Sequence, residues 1–232
     1  YGGHRLGDNL FAESLICVDL ETGERVWHFQ MVHHGVWDYD NPTAPNLLDI
    51  TVDGRRVKAV AQVTKQGFVY TFDRVTGDPV WPIEERPVPQ ETNMPSEVPA
   101  ATQPFPTRPA PFDYQGVTID DLVDFTPEIR TMAIAAVEPF RIGPLYTPQS
   151  LRGTVFRPST GGGANWSGAG VDPESGVLYV PSRNAFAVKQ YRVPDPDEGA
   201  TLRYIEVRGA GSSRPEMPQG LPLFKPPYGR LV

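Results

Sequence analysis

At 232 residues, with 39% hydrophobic, 10% aromatic and 21% charged side chains, the chain has enough apolar surface for a core, which excludes a wholly disordered protein. Twenty-six prolines and 22 glycines, about a fifth of the residues against the usual ~12% for the pair, exclude a bundle of long helices, because proline breaks helix interiors and central strands alike. A net charge of −7 leaves no basic field for nucleic acid, and no apolar run reaches the ~20 residues of a membrane-spanning helix. The single Cys17 excludes an internal disulfide and any Cys-based zinc or haem site. With Tyr1 first, and neither an initiator Met nor a leader, the sequence reads as processed or as a portion of something longer.

In chain order, the first element is one copy of a repeat. Leu15 to Trp27 (LICVDLETGERVW) aligns with Val69 to Trp81 (VYTFDRVTGDPVW) at an offset of 54, matching Asp19 with Asp73, Thr22 with Thr76, Gly23 with Gly77 and Trp27 with Trp81. Each copy reads as strand, tight turn, strand: the Asp bonds turn amides and the Gly takes a positive φ. The Trp after each turn predicts a repeated packing contact between units. A third, weaker copy keeps Asp172, Ser175 and Gly176 without a following Trp. Short strands at a period near 50 residues predict propeller blades, expected around 10–30, 58–83 and 153–182.

The intervening sequence differs. Ten prolines in residues 79–111 predict an extended excursion with little ladder pairing. Thr118 to Phe140 reads as two short helices separated at Pro127, with Thr118 as cap, acids at 120 and 121, and a stripe of Ile129, Met132, Ala133, Ala136 and Val137. Together these form a Pro-rich, partly helical insertion over about 84–145. Residues 194–232 are expected to be irregular apart from one strand at Thr201 to Val207. The fold class is therefore all-β.

Three clusters bear on chemistry. In His33-His-Gly-Val-Trp-Asp-Tyr-Asp-Asn-Pro42, an extended backbone puts Asp38 and Asp40 on one face and Trp37 and Tyr39 on the other. Two carboxylates on one face can split their pKa values and yield a base, but the same residues also suit an Asp-rich turn. The adjacent His33 and His34 splay apart and lack a zinc-site spacing. Lys65, beside Gly67, reads on its own as a solvated loop charge. Thr160-Gly-Gly-Gly-Ala-Asn-Trp-Ser-Gly168 lets backbone approach a ligand and offers the Asn165 amide and the flat Trp166 ring. It lacks the Lys-Ser/Thr of a phosphate loop. Cys17, at an apolar strand position, reads as an inert thiol.

In order and spacing these motifs resemble the pyrroloquinoline quinone (PQQ)-dependent dehydrogenases, nearest the membrane-linked glucose dehydrogenase type, from Tyr1 to about Ser182. The resemblance implies an eight-bladed propeller with blades docked through the Trp motif, PQQ near its axis and a bound calcium ion. It places the general base on Asp38, the cation facing the quinone oxygens on Lys65, and cofactor contacts on Asn165 and Trp166. Lys at position 65 follows the sugar-oxidising members; many alcohol-oxidising members carry Arg. The family's calcium ligands fall upstream of Tyr1, so no metal ligand is expected in this chain, which would be inactive alone.

The function so implied is oxidation of an aldose at a CH–OH group, with electrons passed to ubiquinone in a periplasmic, membrane-associated enzyme. Two alternatives stand beside it. One is an alcohol dehydrogenase of the same fold; the other is a non-catalytic propeller scaffold, which has no reason to hold Trp-Asp, the Lys and Asn-Trp together.

Overall fold

A computed structural model describes residues 1–209 and 213–232. Strands dominate it. β1 (Ser14–Val18) and β2 (Arg25–Gln30) form an antiparallel hairpin, and β3 (Asn46–Val52), β4 (Arg55–Val63) and β5 (Val69–Asp73) form a three-stranded antiparallel sheet. A bridge from Phe72 to Pro79 adds the chain after the second turn to that sheet. The third repeat joins β9 (Gly170–Asp172) to β10 (Val177–Tyr179).

All three turns are built alike. The amide of Gly23, Gly77 or Gly176 donates to the carbonyl of Asp19, Asp73 or Asp172, at 2.9, 2.8 and 2.9 Å. The glycines hold φ of +73°, +82° and +70°, the left-handed region that costs other residues ~1–2 kcal/mol. Each Asp carboxylate receives amides of its own turn: Thr22 at 2.8 Å, Val75 at 2.9 Å and Glu174 at 3.0 Å. The predicted contact between units holds for the first pair, where the Trp27 indole N–H donates to the Arg74 carbonyl at 3.2 Å. It does not extend to the third turn. Gly176 faces Ile50 of β3, because the chain leaves the blade directly after Trp81.

That departure corrects one expectation. The proline-rich stretch forms a paired ribbon, β6 (Ile83–Pro87) against β7 (Thr102–Pro106). Pairing survives because Pro87, Pro104 and Pro106 share one phase of the ladder, opposite Thr102, Glu85 and Ile83. The other phase carries the hydrogen bonds, and its register continues in Val88 N–H to Ala101 O and Thr107 N–H to Pro82 O. The two predicted helices are present: a 3-10 turn at Ile119–Asp121 closed by a reciprocal Thr118–Asp121 box, and α1 (Pro127–Val137) with Thr126 as N-cap. Pro127 sits at the first helical position, where its missing N–H is not needed. Ala133 and Val137 are buried and Ile129 and Ala136 pack with them, whereas Met132 lies 48% exposed at the edge of the stripe.

Short strands complete the chain. β8 (Thr154–Phe156) pairs with β12 (Ala187–Lys189), and β11 (Pro181–Arg183) pairs with β15 (Gly229–Leu231) near the C-terminus. β13 (Tyr191–Arg192) pairs with β14 (Ile205–Glu206). The strand expected over Thr201 to Val207 is thus only two residues long, since its partner runs into Pro194 and offers no more.

Among the described residues four apolar clusters hold these pieces, the smallest joining Met94 to Tyr191 and Tyr204. The largest joins Met31, Trp37 and Tyr39 to Phe68, Tyr70, Phe72, Tyr146 and Phe156, with Trp37 and Tyr146 edge-to-face at 5.2 Å. At ~1.5–3 kcal/mol for each fully buried large side chain, it dominates the segment that carries the two acids. A second cluster packs α1 against Leu223 and Phe224, and a third joins β4 and β5 to Phe112, Ala164 and Val180.

Candidate active site

The segment after β2 is irregular in backbone, yet it keeps the predicted alternation. Trp37 and Tyr39 are each 1% exposed, whereas the side chains of Asp38 and Asp40 are 51% and 55% exposed. Asp38 reaches this position with φ +69°, a conformation uncommon outside glycine and tolerated best by Asn and Asp. Its neighbours pay for that conformation with buried hydrogen bonds. The Trp37 indole donates to Thr147 O at 2.8 Å and the Tyr39 hydroxyl to Pro158 O at 2.7 Å. Further upstream, Gln103 of β7 closes a two-way pair with the His33 backbone at 2.8 and 2.7 Å.

Lys65 lies in the Thr64–Gly67 turn between β4 and β5, which is closed by Gly67 N–H to Thr64 O at 3.1 Å. It is not a solvated loop charge, for the residue is only 6% exposed. The glycine loop is the reason: a Cβ on Gly162 would fall 2.5 Å from the Lys65 backbone and stem, and Gly163 N–H donates to Lys65 O at 2.8 Å. The ammonium hydrogen-bonds Asp40 and stands 3.8 Å from Asp38 Oδ1. Residues 27 positions apart in sequence thus form one ammonium–dicarboxylate group at the surface.

The electrostatics favour a base at Asp38. Partial burial raises its carboxyl above the usual Asp value, against the opposing pull of the Lys65 and Lys189 charges. Lys189, at the end of β12, is itself lowered by burial, opposed by Asp38 and Glu206. Burial also raises Glu13, whose Oε2 has no hydrogen-bond partner among the described residues and whose field reaches Asp38 and Asp40. A carboxylate shifted toward neutrality beside a buried ammonium can take a proton and balance negative charge developing nearby.

Asp38 and Lys65 are thus brought together; Asn165 and Trp166 are not joined to them by any hydrogen bond or ion pair among the described residues. The Asn165 amide is used within its own loop, donating to Gly161 O and accepting from Trp166 N–H, both at 2.8 Å. The Trp166 ring is 84% exposed, a free flat surface on the same loop as Gly162. His33 and His34 have separate partners, Glu85 and Glu97. Cys17 is half-buried in β1 opposite Trp27.

Sequence reasoning missed Lys189, Glu13 and Asp113. Lys189 had a signal, being a lone Lys in the apolar-alternating Ala187-Val-Lys-Gln-Tyr191. Asp113 had another, since Phe112-Asp-Tyr114 has the same aromatic-Asp-Tyr pattern as Trp37-Asp-Tyr39. It is buried behind the glycine loop, its Oδ2 lacking a hydrogen-bond partner and standing 2.9 Å from where a Gly163 Cβ would lie. Burial raises its carboxyl as well.

A buried cation beside a rim carboxylate is the chemistry a flat, oxygen-rich cofactor calls for, while the glycine loop packs on the Lys65 stem and on Asp113 and carries the exposed Trp166 ring. Calcium fares differently: among the described residues no group of three or more His, Cys, Asp or Glu is placed to hold a metal ion.

The strands and the repeated turns are those of a propeller-type domain. Residues 1–232 match the family model described as PQQ, glucose/ethanol/alcohol dehydrogenase, β-propeller domain, and the chain belongs to that family. It is 32% identical over 226 residues to quinoprotein glucose dehydrogenase A of Acinetobacter calcoaceticus, covering 94% of this chain and 27% of that protein. Identity to the quinoprotein glucose dehydrogenase of Escherichia coli is 30%, over 99% of this chain and 28% of that one. To a probable quinate dehydrogenase (quinone) of Xanthomonas campestris it is 29%, over 100% and 31%. The chain therefore spans about 27–31% of the length of these relatives. Among solved structures, a europium-containing methanol dehydrogenase superposes with a TM-score of 0.51 at 22% identity, over 79% of this chain and 25% of that chain, a likeness of fold.

Proposed function

We propose that this chain is the part of a PQQ-dependent dehydrogenase that supplies its base and its quinone-facing cation, and that the whole enzyme oxidises an aldose of the glucose type at a CH–OH group. The observation that carries this reading is the Lys65 ammonium, buried against Gly162 and within 3.8 Å of Asp38. When bound, PQQ supplies an electrophilic quinone carbonyl that accepts the two electrons of the oxidation. Asp38 accepts the proton of the substrate hydroxyl, and the rise that burial gives its pKa makes it a stronger base than an exposed Asp. Lys65 holds positive charge at the quinone oxygens, where negative charge develops. Asn165 and Trp166 provide an amide and a stacking face at the rim.

The glucose reading is supported by the names of the relatives and by Lys at position 65. Ubiquinone as acceptor, a periplasmic and membrane-associated location, an eight-bladed closure and a calcium ion held by residues outside this chain complete the proposal. The test is reconstitution of the full-length enzyme with PQQ and calcium, read by dye reduction. Glucose oxidation is the expected result. Cofactor bound with no reduction by any aldose overturns the substrate, turnover of simple alcohols alone assigns it to alcohol oxidation, and failure to acquire the near-ultraviolet absorbance of PQQ leaves a non-catalytic scaffold.

A further inference from the structure

His34 is almost completely buried and four residues from Asp38, and no step above uses it. Its side chain is 1% exposed and that of its partner Glu97 2% exposed, with Nε2 and Oε1 2.8 Å apart. The other ring nitrogen, Nδ1, lies 2.9 Å from the carbonyl oxygen of Gly7. A carbonyl only accepts hydrogen bonds and an ionised carboxylate only accepts them, so both contacts are made together when both ring nitrogens carry protons. Glu97 is satisfied in turn, its Oε2 accepting Gly2 N–H at 2.6 Å. The site is closed by Gly2, whose Cβ would lie 2.5 Å from His34 Nε2 and 2.9 Å from Glu97 Oε1.

The pair also sits at a junction of three stretches of chain: the N-terminal residues through Gly2 and Gly7, the proline-rich excursion through Glu97, and the segment leading to Asp38. His34 itself has φ +46° and donates its backbone N–H to Asp8 O at 3.0 Å. Trp37, with its hydrogen bond to Thr147, and Asp38 follow within four residues. We propose that His34 is a buried imidazolium and that its ion pair with Glu97 is the positioning element that fixes the turn delivering Asp38. The role of Asp38 as base rests on the function proposed above; the charge state and the positioning do not.

The charges facing the pair are Arg5 and the N-terminal ammonium from the start of the chain, and Glu13 ahead of β1. The hydrogen bond that His34 donates to Glu97 raises the His34 pKa, over the opposing effects of burial and of Arg5. Burial pushes Glu97 up, but the hydrogen bonds from His34 and from Gly2 outweigh it and hold the carboxyl below its usual value. A raised His loses its contribution as pH rises through its folded pKa, and a depressed Glu loses its contribution as pH falls through its folded pKa. The pair is therefore complete between the ordinary values of the two groups, about 4.5 and 6.5, and survives some distance on either side.

Nitrogen-15 NMR of the four histidines, followed with pH, tests the charge. The expected result is that both His34 nitrogens stay protonated above the ordinary histidine value of 6.5, and that Glu97→Gln removes this excess. A singly protonated His34 ring at pH 6 in the unaltered protein overturns the imidazolium. Positioning is read from hydrogen exchange of two indole protons. In Glu97→Gln the Trp37 proton should exchange at least ~10-fold faster, as a local opening would allow, while the Trp27 proton, docked on Arg74, keeps its rate. Unchanged exchange at Trp37, or equal acceleration at both, overturns the positioning role. Neither measurement depends on turnover, so a failed PQQ assay leaves both conclusions standing or falling on their own.

Discussion

The Trp27 indole occupies the space that a side chain at position 77 would need: a Cβ there would lie 2.6 Å from its Cγ. Two residues fifty positions apart, each in its own copy of the repeat, are thus shaped for one another. Gly77→Ala combines a left-handed backbone with this overlap, and should lower stability by roughly 2–5 kcal/mol, from ~1–2 for the backbone and ~1–3 for overpacking. Gly23→Ala has the same turn and φ +73° but open space around it, so it should show the backbone cost alone. Chemical denaturation of the two variants side by side checks the difference.

Asp38→Asn keeps the shape of the side chain and removes its basicity. In the PQQ-loaded full-length enzyme it should retain cofactor absorbance and lose ~10²–10⁴-fold in turnover, the usual contribution of a general base. Steady-state dye reduction measures it, and wild-type rates in the variant would remove Asp38 from that role.

The pH dependence has a definite sign. Asp38 must be ionised to accept a proton, and burial raises its pKa, so the rate should fall on the acid side at a pH above that of an ordinary Asp. Lys65 and Lys189 work against that rise. Lys189→Met removes one of these charges without touching the ammonium that holds Asp40, so the acid limb should move to higher pH with the plateau rate retained. A pH–rate profile on both proteins decides it.

Arg157 offers a test of stability away from the rim. It is 3% exposed, donates to Gly116 O at 3.1 Å, pairs with Asp121 at 2.7 Å, and lies over the rings of Tyr114 and Phe224 at 4.6 and 4.8 Å. Arg157→Met leaves Asp121 without its cation and should cost ~3–5 kcal/mol. Burial tends to raise Asp121, but hydrogen bonds from Thr118 and Arg157 hold it below the usual value. This stabilisation is present above the ordinary Asp pKa and fades as pH falls through the depressed one, so the difference between variant and parent should shrink in acid. Thermal melts at several pH values check both statements.

Much of this architecture is legible in the sequence because its grammar is local. An Asp, a Thr or Ser and a Gly at fixed spacing are enough to close a turn, and the alternation of aromatic and acidic residues through Trp37 to Asp40 survives a non-strand backbone since burial enforces it. Lys65 was legible only through the order of the motifs, because the glycine loop that buries it comes almost a hundred residues later. Lys189 and Glu13 reach the same group from strands and turns distant in sequence, and nothing in their own neighbourhoods announces where they end up. The β6–β7 ribbon was hidden for another reason: counting prolines says nothing of their phase.

That phase has a meaning beyond the ribbon's own pairing. With Pro87, Pro104 and Pro106 all in the positions whose N–H groups would face outward, both free margins of the hairpin lack donors there. The Pro104 carbonyl on one margin is already taken by the Tyr70 hydroxyl at 2.7 Å. A further strand finds only the Thr102 N–H as a donor among the outward positions of β7, whereas β6 keeps those of Ile83 and Glu85. The prolines that first appear as breakers of structure therefore act as selvage, finishing the β7 margin of the ribbon against a further strand.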